Sequence, residues 1–505
     1  METYDVIVAG AGFGGLTCAS LLASQGYRVI LCEASGELGG SAGGFQREGY
    51  QFAAGATVGM GFEPGGYFNR LYGTLGLESP NLHSLERIMQ IAMPEQTVDY
   101  WRNRKRWHAE CERQFPGEAR QIADFYDEVE AAGELLRYMT ERRPFFPPAG
   151  LREWASLVPH LNPRMLRWAP LLTQTVGDRL RKYGLSEHSP FGTFLNGQLM
   201  DSVQTTASRC PALLGLIALT VFHQGAFAIQ GGLPAVAEAL AETFTAAGGE
   251  IRYRTPIRSI ERQSEGWQAV TKRGEQLTAK QLVLNTSMHS LGDLLGEHVP
   301  SRLHKLVEAE RQRAAWSAFT LYIGLQPDSD MCKLFGPSDA ETWTPFRQVI
   351  GASGLPLSEG NQFLVSWLDA GPGSPGPTLT LSTHTVPEPW WDRTGYEQRK
   401  LAYQDKMLAL LYERYPAVRE HCSVVLPGTP VTFHRYLGRR QGRVGGYIPQ
   451  GARSLFDAFN SRLGPDGLWM VGDTVFPGAG TLGASLSGWM AAERIAGKRF
   501  GYYSR

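Results

Sequence analysis

The sequence predicts an α/β fold with a Rossmann-like dinucleotide-binding domain at its amino end. An apolar run of strand length, Tyr4 to Ala9, is followed at once by a G-x-G-x-x-G loop at residues 10–15. A segment with helical periodicity continues to Gly26, and a second apolar run ends at Glu33. The chain has 505 residues, which leaves room for two or three domains.

The first loop predicts contact with the pyrophosphate of a dinucleotide. Glycine allows the backbone to approach phosphate closely, and the free N–H groups at a helix start attract negative charge. Glu33, followed by Ala34, is expected to accept hydrogen bonds from the adenosine ribose. An ordinary glycine-rich turn is the alternative, which the strand, helix and acid together disfavour. The loop residues expected at the cofactor are Gly10, Gly12, Phe13, Gly14 and Gly15.

Two further segments favour FAD over NAD, since both cofactors satisfy the first loop. A second glycine-dense loop follows Glu33 and suits a cofactor that continues past its pyrophosphate. Near the carboxyl end a strand at 468–473 leads through a loop to a helix that stops at Gly497. Asp473 at that strand end is predicted to bind a ribityl hydroxyl, with a loop cap as its alternative role. The residues expected to contact FAD here are Gly39, Gly40, Ser41, Gly472, Asp473, Gly480, Thr481, Leu482 and Ser485.

Composition excludes several classes of protein. The 49 basic residues balance the 49 acidic ones, so no overall field attracts nucleic acid. The six cysteines lie far apart without a C-x-x-C pair, which argues against a disulfide framework or a zinc site, and no metal is expected. The first apolar run begins at Tyr4, so we expect no signal peptide and a cytoplasmic protein. The uncharged stretch 210–237 is too interrupted to span a membrane and is predicted as a buried helix and strand.

One region is strongly basic. Residues 137–182 contain nine basic and three acidic side chains, a local charge of +6, interleaved with aromatic and aliphatic residues. Such a segment suits peripheral contact with an anionic membrane, from which a lipid-soluble substrate would enter. A solvated helical cap that packs its apolar face inward is the alternative, and both remain open.

Four motifs carry a resemblance to a known family: VIVAGAGFGGL, EASGELGGSAGG, FAAGAT and VGDTVFPGAGTLGASLSGWMAAERIAG. With them the chain resembles the phytoene-desaturase-like flavoproteins, which share a glutathione-reductase and amine-oxidase type of FAD fold. The segment GTPVTFHRYLGRRQGRVGGYIPQ at 428–450 looks like that of the cyanobacterial-type carotenoid 3',4'-desaturases. The resemblance spans the chain.

The resemblance implies further site residues and two departures. It adds Gly55, Ala56 and the adenine-side Ile257 to the cofactor contacts, and Asn285 at the strand predicted for 283–287. Many relatives have Arg where this chain has Ser41, so one phosphate contact is expected to come from elsewhere or to be missing. Several have Asp where this chain has Ala53, and that loop is expected to sit differently.

The resemblance also implies the domain organisation. An FAD-binding domain would be assembled from residues 1–80, 225–300 and 431–505. An inserted mixed α+β substrate domain would comprise residues 81–224 and 301–430. We expect 85–225 to be mostly helical, and 305–430 to contain strands at 317–325, 362–368 and 378–383 and a helix at about 395–414. This sheet would cover the flavin.

No motif for a nucleophilic, metal-dependent or paired-carboxylate mechanism stands out, so catalytic side chains are not identified. Flavin alone can accept a hydride at N5, while the protein orients the substrate and excludes water. The resemblance implies an FAD-dependent desaturase of a carotenoid or related long apolar isoprenoid, with oxygen or a quinone as electron acceptor. A carotenoid cis–trans isomerase or saturase stays open on the same scaffold, and an amine oxidase or a non-catalytic prenyl-binding protein is less favoured.

Overall fold

A computed structural model gives the fold of the chain. It describes residues 2–501 apart from 145, 149, 159–165, 297–303, 305–307, 309–314, 328, 339, 447 and 465–466. Two large mixed sheets and a helical region make up most of the described chain.

Strands and helices are numbered in chain order. The strands are β1 (Glu2–Ala9), β2 (Val29–Cys32), β3 (Gly44–Arg47), β4 (Tyr50–Ala53), β5 (Gly59–Met60), β6 (Leu82–Ser84), β7 (Arg87–Ala92), β8 (Thr97–Trp101), β9 (Ala226–Ile229), β10 (Glu250–Arg252), β11 (Ile257–Gln263), β12 (Gly266–Thr271), β13 (Gln276–Leu284), β14 (Ser317–Leu325), β15 (Phe346–Ile350), β16 (Gln362–Leu368), β17 (Thr378–Thr385), β18 (Cys422–Gly428) and β19 (Leu468–Met470). The α-helices are α1 (Phe13–Ala23), α2 (Tyr67–Leu75), α3 (Arg104–Gln114), α4 (Ala119–Arg142), α5 (Leu151–Leu157), α6 (Val176–Lys182), α7 (Pro190–Val203), α8 (Ala212–Gln224), α9 (Gly232–Ala246), α10 (Leu291–Leu295), α11 (Ser329–Leu334), α12 (Tyr396–Arg414), α13 (Pro416–His421), α14 (Pro430–Leu437) and α15 (Thr481–Ala496).

The first sheet contains the predicted strand–helix–strand unit. Its order is β10-β2-β1-β13-β12-β11, with β19 also paired to β13. Strands β10, β2, β1, β13 and β19 run parallel, whereas β12 and β11 form an antiparallel extension. Helices α1, α9 and α15 pack into one apolar core on this sheet. Helices on a parallel sheet explain why its strands are continuous apolar runs.

The second sheet has the order β18-β14-β17-β16-β15-β7-β8. The three strands predicted between 305 and 430 are present, as is the helix predicted from about 395. One face is covered by α11, α12 and α13 around an apolar core. We call this second sheet the roof sheet, and the face opposite to these helices its inner face.

The region predicted to be mostly helical differs at its start. Residues 85–225 open with β7 and β8, and only then continue as helices α3 to α8. Strand β7 pairs in parallel with β15, which lies far along the chain. Such pairing depends on a distant partner and leaves no local periodicity to predict it.

The uncharged stretch 210–237 forms α8, β9 and the start of α9. Helix α8 packs against α4 and α7 in a large apolar core. Among the described helices, none is long and apolar enough to cross a membrane.

Candidate functional site

Asn285, which follows β13, packs directly against the first glycine loop. A Cβ atom added at Gly10 would lie 2.6 Å from the Asn285 carbonyl oxygen, and one at Gly12 would lie 2.6 Å from its Nδ2. Asn285 Nδ2 donates to the Gly10 carbonyl oxygen at 3.3 Å. At Gly15 an added Cβ would lie only 2.1 Å from the Gly10 carbonyl oxygen. Larger side chains are therefore excluded from this turn by the protein itself.

Helix α1 begins directly after this loop. Gly12 caps it without a side-chain hydrogen bond, so the first N–H groups stay available to an anion. Phe13 is buried with its ring against Phe68, in the core rather than on the loop surface. Gly14 allows a close approach of the carboxyl-terminal segment, because a Cβ atom there would lie 2.6 Å from the Gly472 nitrogen. The loop and the carboxyl-terminal segment therefore meet backbone to backbone.

Glu33 connects the first loop to the second. Its Oε2 accepts the Ala11 N–H at 2.7 Å, and its Oε1 accepts from the Ser35 N–H and hydroxyl, each at 2.8 Å. The Thr255 N–H donates to the Glu33 carbonyl oxygen at 2.8 Å, which brings the start of β11 and Ile257 to the same corner. Ala34 is exposed. This carboxylate keeps further lone pairs for a ribose hydroxyl.

The second loop folds back on the first. Gly39 and Gly40 have φ angles of +85° and +58°, and a Cβ at Gly40 would lie 3.5 Å from the Gly12 Cα. The Ser41 hydroxyl oxygen is buried and has no hydrogen-bond partner among the described residues. The Ser41 carbonyl oxygen accepts the Ala56 N–H at 3.0 Å, which brings Ala56 to the loop. A Cβ at Gly55 would lie 3.0 Å from the same oxygen.

The carboxyl-terminal segment contributes Asp473 and a partner that the sequence did not indicate. Arg439 Nη2 donates to Asp473 Oδ2 at 2.6 Å, and both side chains are mostly buried. A Cβ at Gly446 would lie 2.2 Å from the Asp473 carbonyl oxygen, so the 438–446 segment packs directly on this residue. The single hint was that Arg439 lies in the 428–450 motif.

Helix α15 follows this segment, and its residues Leu482 and Ser485 contact different parts of the protein. Gly480 has a φ of +88° and precedes α15, which starts at Thr481, and Leu482 reaches the turn at Gly61. The Ser485 hydroxyl lies 2.6 Å from the Thr17 hydroxyl and 2.9 Å from that of Tyr67, inside the packing of α15 on α1 and α2. This side chain is engaged between helices, so a cofactor contact by Ser485 remains a prediction without geometric support.

These residues together suit a long dinucleotide cofactor. The uncapped start of α1, the unpartnered Ser41 hydroxyl and the carboxylates of Glu33 and Asp473 provide the donors and acceptors that pyrophosphate, ribose and ribityl groups require. Among the described residues no cluster of His, Cys, Asp and Glu could hold a metal ion, and all six cysteines are free.

The segment after β4 is clamped by hydroxyl groups of the roof sheet. Tyr322 donates to the Ala54 carbonyl oxygen at 2.6 Å, and Thr380 donates to that of Ala53 at 3.1 Å. The hydroxyls of Thr57 and Ser366 lie 2.6 Å apart. These bonds fix the loop that carries Gly55 and Ala56.

An uncharged apolar surface lies beside this roof. On α8 the residues Leu214, Ile217, Ala218 and Val221 keep part of their surface accessible, while the other side of the helix is fully buried. A helix that is apolar all round is normally buried on every side. An accessible apolar stripe on such a helix is typical of a ligand-binding wall. The apolar wall, as we name it, comprises these four residues with Met60, Ala228 and Leu364, which pack on the same core.

The basic segment 137–182 is only partly as expected. Arg143 and Arg179 are mostly buried and pair with Glu493 and Glu128, both outside the segment. The net positive charge that it offers to a surface is therefore smaller than +6. Leu151 and Trp154 of α5 are 91% and 56% exposed, and Val158 and Leu166 are also exposed. Phe145, Leu161, Arg164 and Met165 lie outside the described residues.

The fold and site define a flavoprotein oxidoreductase with an FAD-binding α/β domain. The pattern of the flavin containing amine oxidoreductase family matches residues 13–496, and the chain belongs to that family. It is 28% identical to the chloroplastic prolycopene isomerase of Daucus carota, over 98% of this chain and 80% of that protein. It is 26% identical to the hydroxyneurosporene desaturase of Rubrivivax gelatinosus, over 98% of this chain and 94% of that protein.

Two further comparisons complete this picture. The chain is 26% identical to a carotenoid 3,4-desaturase of Haloarcula japonica over 64% of each protein. A solved structure of putrescine oxidase shares 16% identity, covers 98% of this chain and 99% of its own, and has a TM-score of 0.63. The predicted α/β fold, its resemblance to the phytoene-desaturase-like flavoproteins and FAD as cofactor are confirmed. The domain boundaries and the individual cofactor contacts stay predictions.

Proposed function

We propose that the protein is an FAD-dependent desaturase of a carotenoid or a related long apolar isoprenoid. The observation that carries this proposal is the apolar wall, an uncharged accessible stripe on α8 together with the partly accessible Met60, Ala228 and Leu364, which pack on the same core. It supports an apolar substrate over an amine, which would bring a positive charge. The relatives named as desaturases of carotenoids support the same substrate class.

The chemistry is divided between cofactor and protein. Bound flavin supplies an acceptor for a hydride from an activated C–H bond. The contacts around Glu33, Ser41 and Asp473 would hold it, and the hydroxyl clamps of the roof sheet hold the adjoining loop in place. The apolar wall excludes water and orients the polyene, which is how positioning lowers a barrier without a catalytic side chain.

A carotenoid cis–trans isomerase is the second candidate. The observation in its favour is the similarity to prolycopene isomerases over 98% of the chain. An isomerase would leave the mass of its substrate unchanged, whereas a desaturase removes two hydrogens. A saturase would add two.

We also propose peripheral contact with a membrane. The exposed residues Leu151 and Trp154 support it, because they lie three residues apart on one face of α5 and a contiguous exposed apolar patch marks a membrane or partner contact. Phe146 of the same basic segment contacts both Phe456 and Phe476, with ring centroids 5.5 and 4.7 Å apart, and Phe476 lies in the loop between Asp473 and α15. Phe456 is itself exposed. We propose that an apolar substrate enters from the bilayer beside these rings.

A single anaerobic turnover tests the reaction. Oxidised enzyme is mixed with a candidate polyene, and flavin absorbance and product mass are recorded together. We expect loss of the yellow flavin band, a red-shifted polyene and a mass lower by two hydrogens. Oxygen or a quinone, the proposed electron acceptors, should restore the yellow form. A product of unchanged mass that needs pre-reduced flavin would instead establish the isomerase.

A further inference from the structure

The inner face of the roof sheet carries a histidine that has no hydrogen-bonded partner. Side chains alternate between the two faces of a strand, and on β17 Leu381 packs in the core under the covering helices. Thr380, Ser382 and His384 therefore lie on the inner face, where Thr380 bonds Ala53. Ser382 and His384 keep part of their surface accessible, whereas Leu381 is fully buried. The accessible side of β17 is thus the side that faces the cofactor domain.

His384 adjoins the apolar wall. Ser382 is the direct cross-strand neighbour of Leu364, a member of the wall. His384 is the next residue on the same face, so it is a diagonal neighbour of Leu364, at about 7 to 8 Å between backbones. Its ring also contacts that of Trp316, with ring centroids 6.0 Å apart and an angle of 65° between the rings.

Trp316 connects His384 to the predicted flavin contact. The Trp316 carbonyl oxygen accepts the Val444 N–H at 2.9 Å. Two residues after Val444, a Cβ atom at Gly446 would lie 2.2 Å from the Asp473 carbonyl oxygen. His384 is therefore placed between the wall, which suits an apolar chain, and the segment that packs on Asp473.

The ring of His384 is able to accept a proton. It makes no side-chain hydrogen bond within the described part of the chain. Burial lowers the pKa of His384 from 6.5 to about 4, and no charged group adds to or opposes this effect. The ring is neutral at pH 7, and a neutral imidazole has one nitrogen that acts as an acceptor.

We propose that His384 accepts the proton that the substrate loses during desaturation. This inference rests on the proposed function. One C–H bond of the substrate breaks with its electron pair, which leaves as hydride to flavin. A neighbouring C–H bond then breaks, its electron pair forms the new C=C bond, and its proton moves to a ring nitrogen of His384. The substrate is oxidised by two electrons and flavin is reduced by two.

A weak base is sufficient for this step. A substrate that has lost a hydride is a cation, and it gives up a proton readily because the product is a neutral conjugated chain. Burial disfavours the charged ring of His384, so the ring also releases the proton again. The hydride and this proton together are the two hydrogens that the oxygen or quinone acceptor receives.

The test is chemical rescue by imidazole. Turnover of the holoenzyme with a polyene is measured per bound flavin, with and without added imidazole. In His384→Ala we expect kcat/KM to fall by about 10²- to 10⁴-fold, the usual contribution of a general base. Imidazole should restore part of the rate, because it can occupy the space of the missing ring and take up the proton. His384→Gln should be equally slow and should not respond, since its amide is not a base.

His223→Ala is the matched control. The pKa of His223 is likewise lowered to about 4 by burial, but its ring lies 3.0 Å from the Tyr100 hydroxyl and 3.4 Å from the Arg102 carbonyl oxygen. Its turnover should not respond to imidazole. Binding of the polyene to reduced, anaerobic holoenzyme, followed by quenching of tryptophan fluorescence, should be equal in the wild type and in His384→Gln. The loss then lies in kcat rather than in binding.

The outcomes separate the two proposals. A wild type that removes two hydrogens, with an unchanged rate in His384→Gln, would overturn the role of His384 and leave the desaturase standing. A slow His384→Ala that imidazole does not accelerate, or a loss confined to polyene binding, would also overturn it. A wild-type product of unchanged mass would remove the desaturase and the proton acceptor together. If His384→Ala does not fold, the kcat and the polyene affinity of His384→Gln decide.

Discussion

Replacing Gly12 by alanine should weaken FAD binding through one steric contact. The φ and ψ angles of Gly12 are −73° and 173°, a conformation that alanine adopts without strain. The new Cβ, however, would lie 2.6 Å from Asn285 Nδ2, well inside normal contact. Overpacking of this kind costs about 1 to 3 kcal/mol. If the free protein relaxes its loop and FAD requires the original loop, the Kd for FAD rises by about five- to 150-fold.

Titration of the apoprotein with FAD, followed by quenching of flavin fluorescence, measures this change. Gly36→Ala is the matched control, since its Cβ would meet nothing closer than Arg254 Nε at 3.5 Å and FAD affinity should be unchanged. Gly12→Ala should cost less affinity in an Asn285→Ala background than in the wild type, because the atom that the new methyl group meets is then absent. Wild-type affinity in Gly12→Ala would refute the assignment of this loop to the cofactor.

Four further outcomes are expected. Arg143→Ala should lower the free energy of unfolding by about 3 to 5 kcal/mol because it removes the ion-pair partner of the buried Glu493 carboxylate. Arg167→Ala, at an exposed ion pair, should lower it by no more than about 1 kcal/mol. Thermal unfolding compares the two variants, and equal effects would contradict the burial argument. Trp154→Glu should weaken binding to anionic vesicles by about five- to thirtyfold with unchanged unfolding temperature, and unaltered sedimentation would remove the proposed membrane contact. Asp473→Ala should raise the free energy of FAD binding by about 1.5 to 3 kcal/mol for each hydrogen bond lost, and an unchanged Kd would make this residue structural only. Burial lowers the pKa of His223 from 6.5 to about 4, so the unfolded state binds more protons between those two pH values and the stability of the protein falls as the pH falls through this window. From pH 7 to 5 the free energy of unfolding should drop by about 2 kcal/mol. Denaturant melts of His223→Gln should show a shallower pH dependence than those of the wild type.

Local sequence was sufficient for the strand–helix–strand unit at the amino end and for the last helix. The glycine spacing between Tyr4 and Glu33 predicted β1, α1 and β2 because a strand, a phosphate-binding turn and a helix are each encoded within a few neighbouring residues. The stop of α15 at Gly497 was predicted for the same reason, and the structure shows a left-handed residue there, with a φ of +66°. The uncharged composition of 210–237 likewise indicated a buried helix and strand, which are α8 and β9.

The tertiary structure decided how those elements work together. Asn285 beneath the first glycine loop, Arg439 on Asp473 and the enclosure of the Ser485 hydroxyl between helices all join residues that are distant in the chain. The inner face of the roof sheet arises in the same way. Contacts of this type depend on which strands pair and which helix faces meet, and the free energy of packing decides this over the whole chain. Local periodicity and motif spacing carry no record of such partners. The sequence by itself therefore determined the cofactor and the local turns, and the folded chain determined which distant side chains meet around the candidate site.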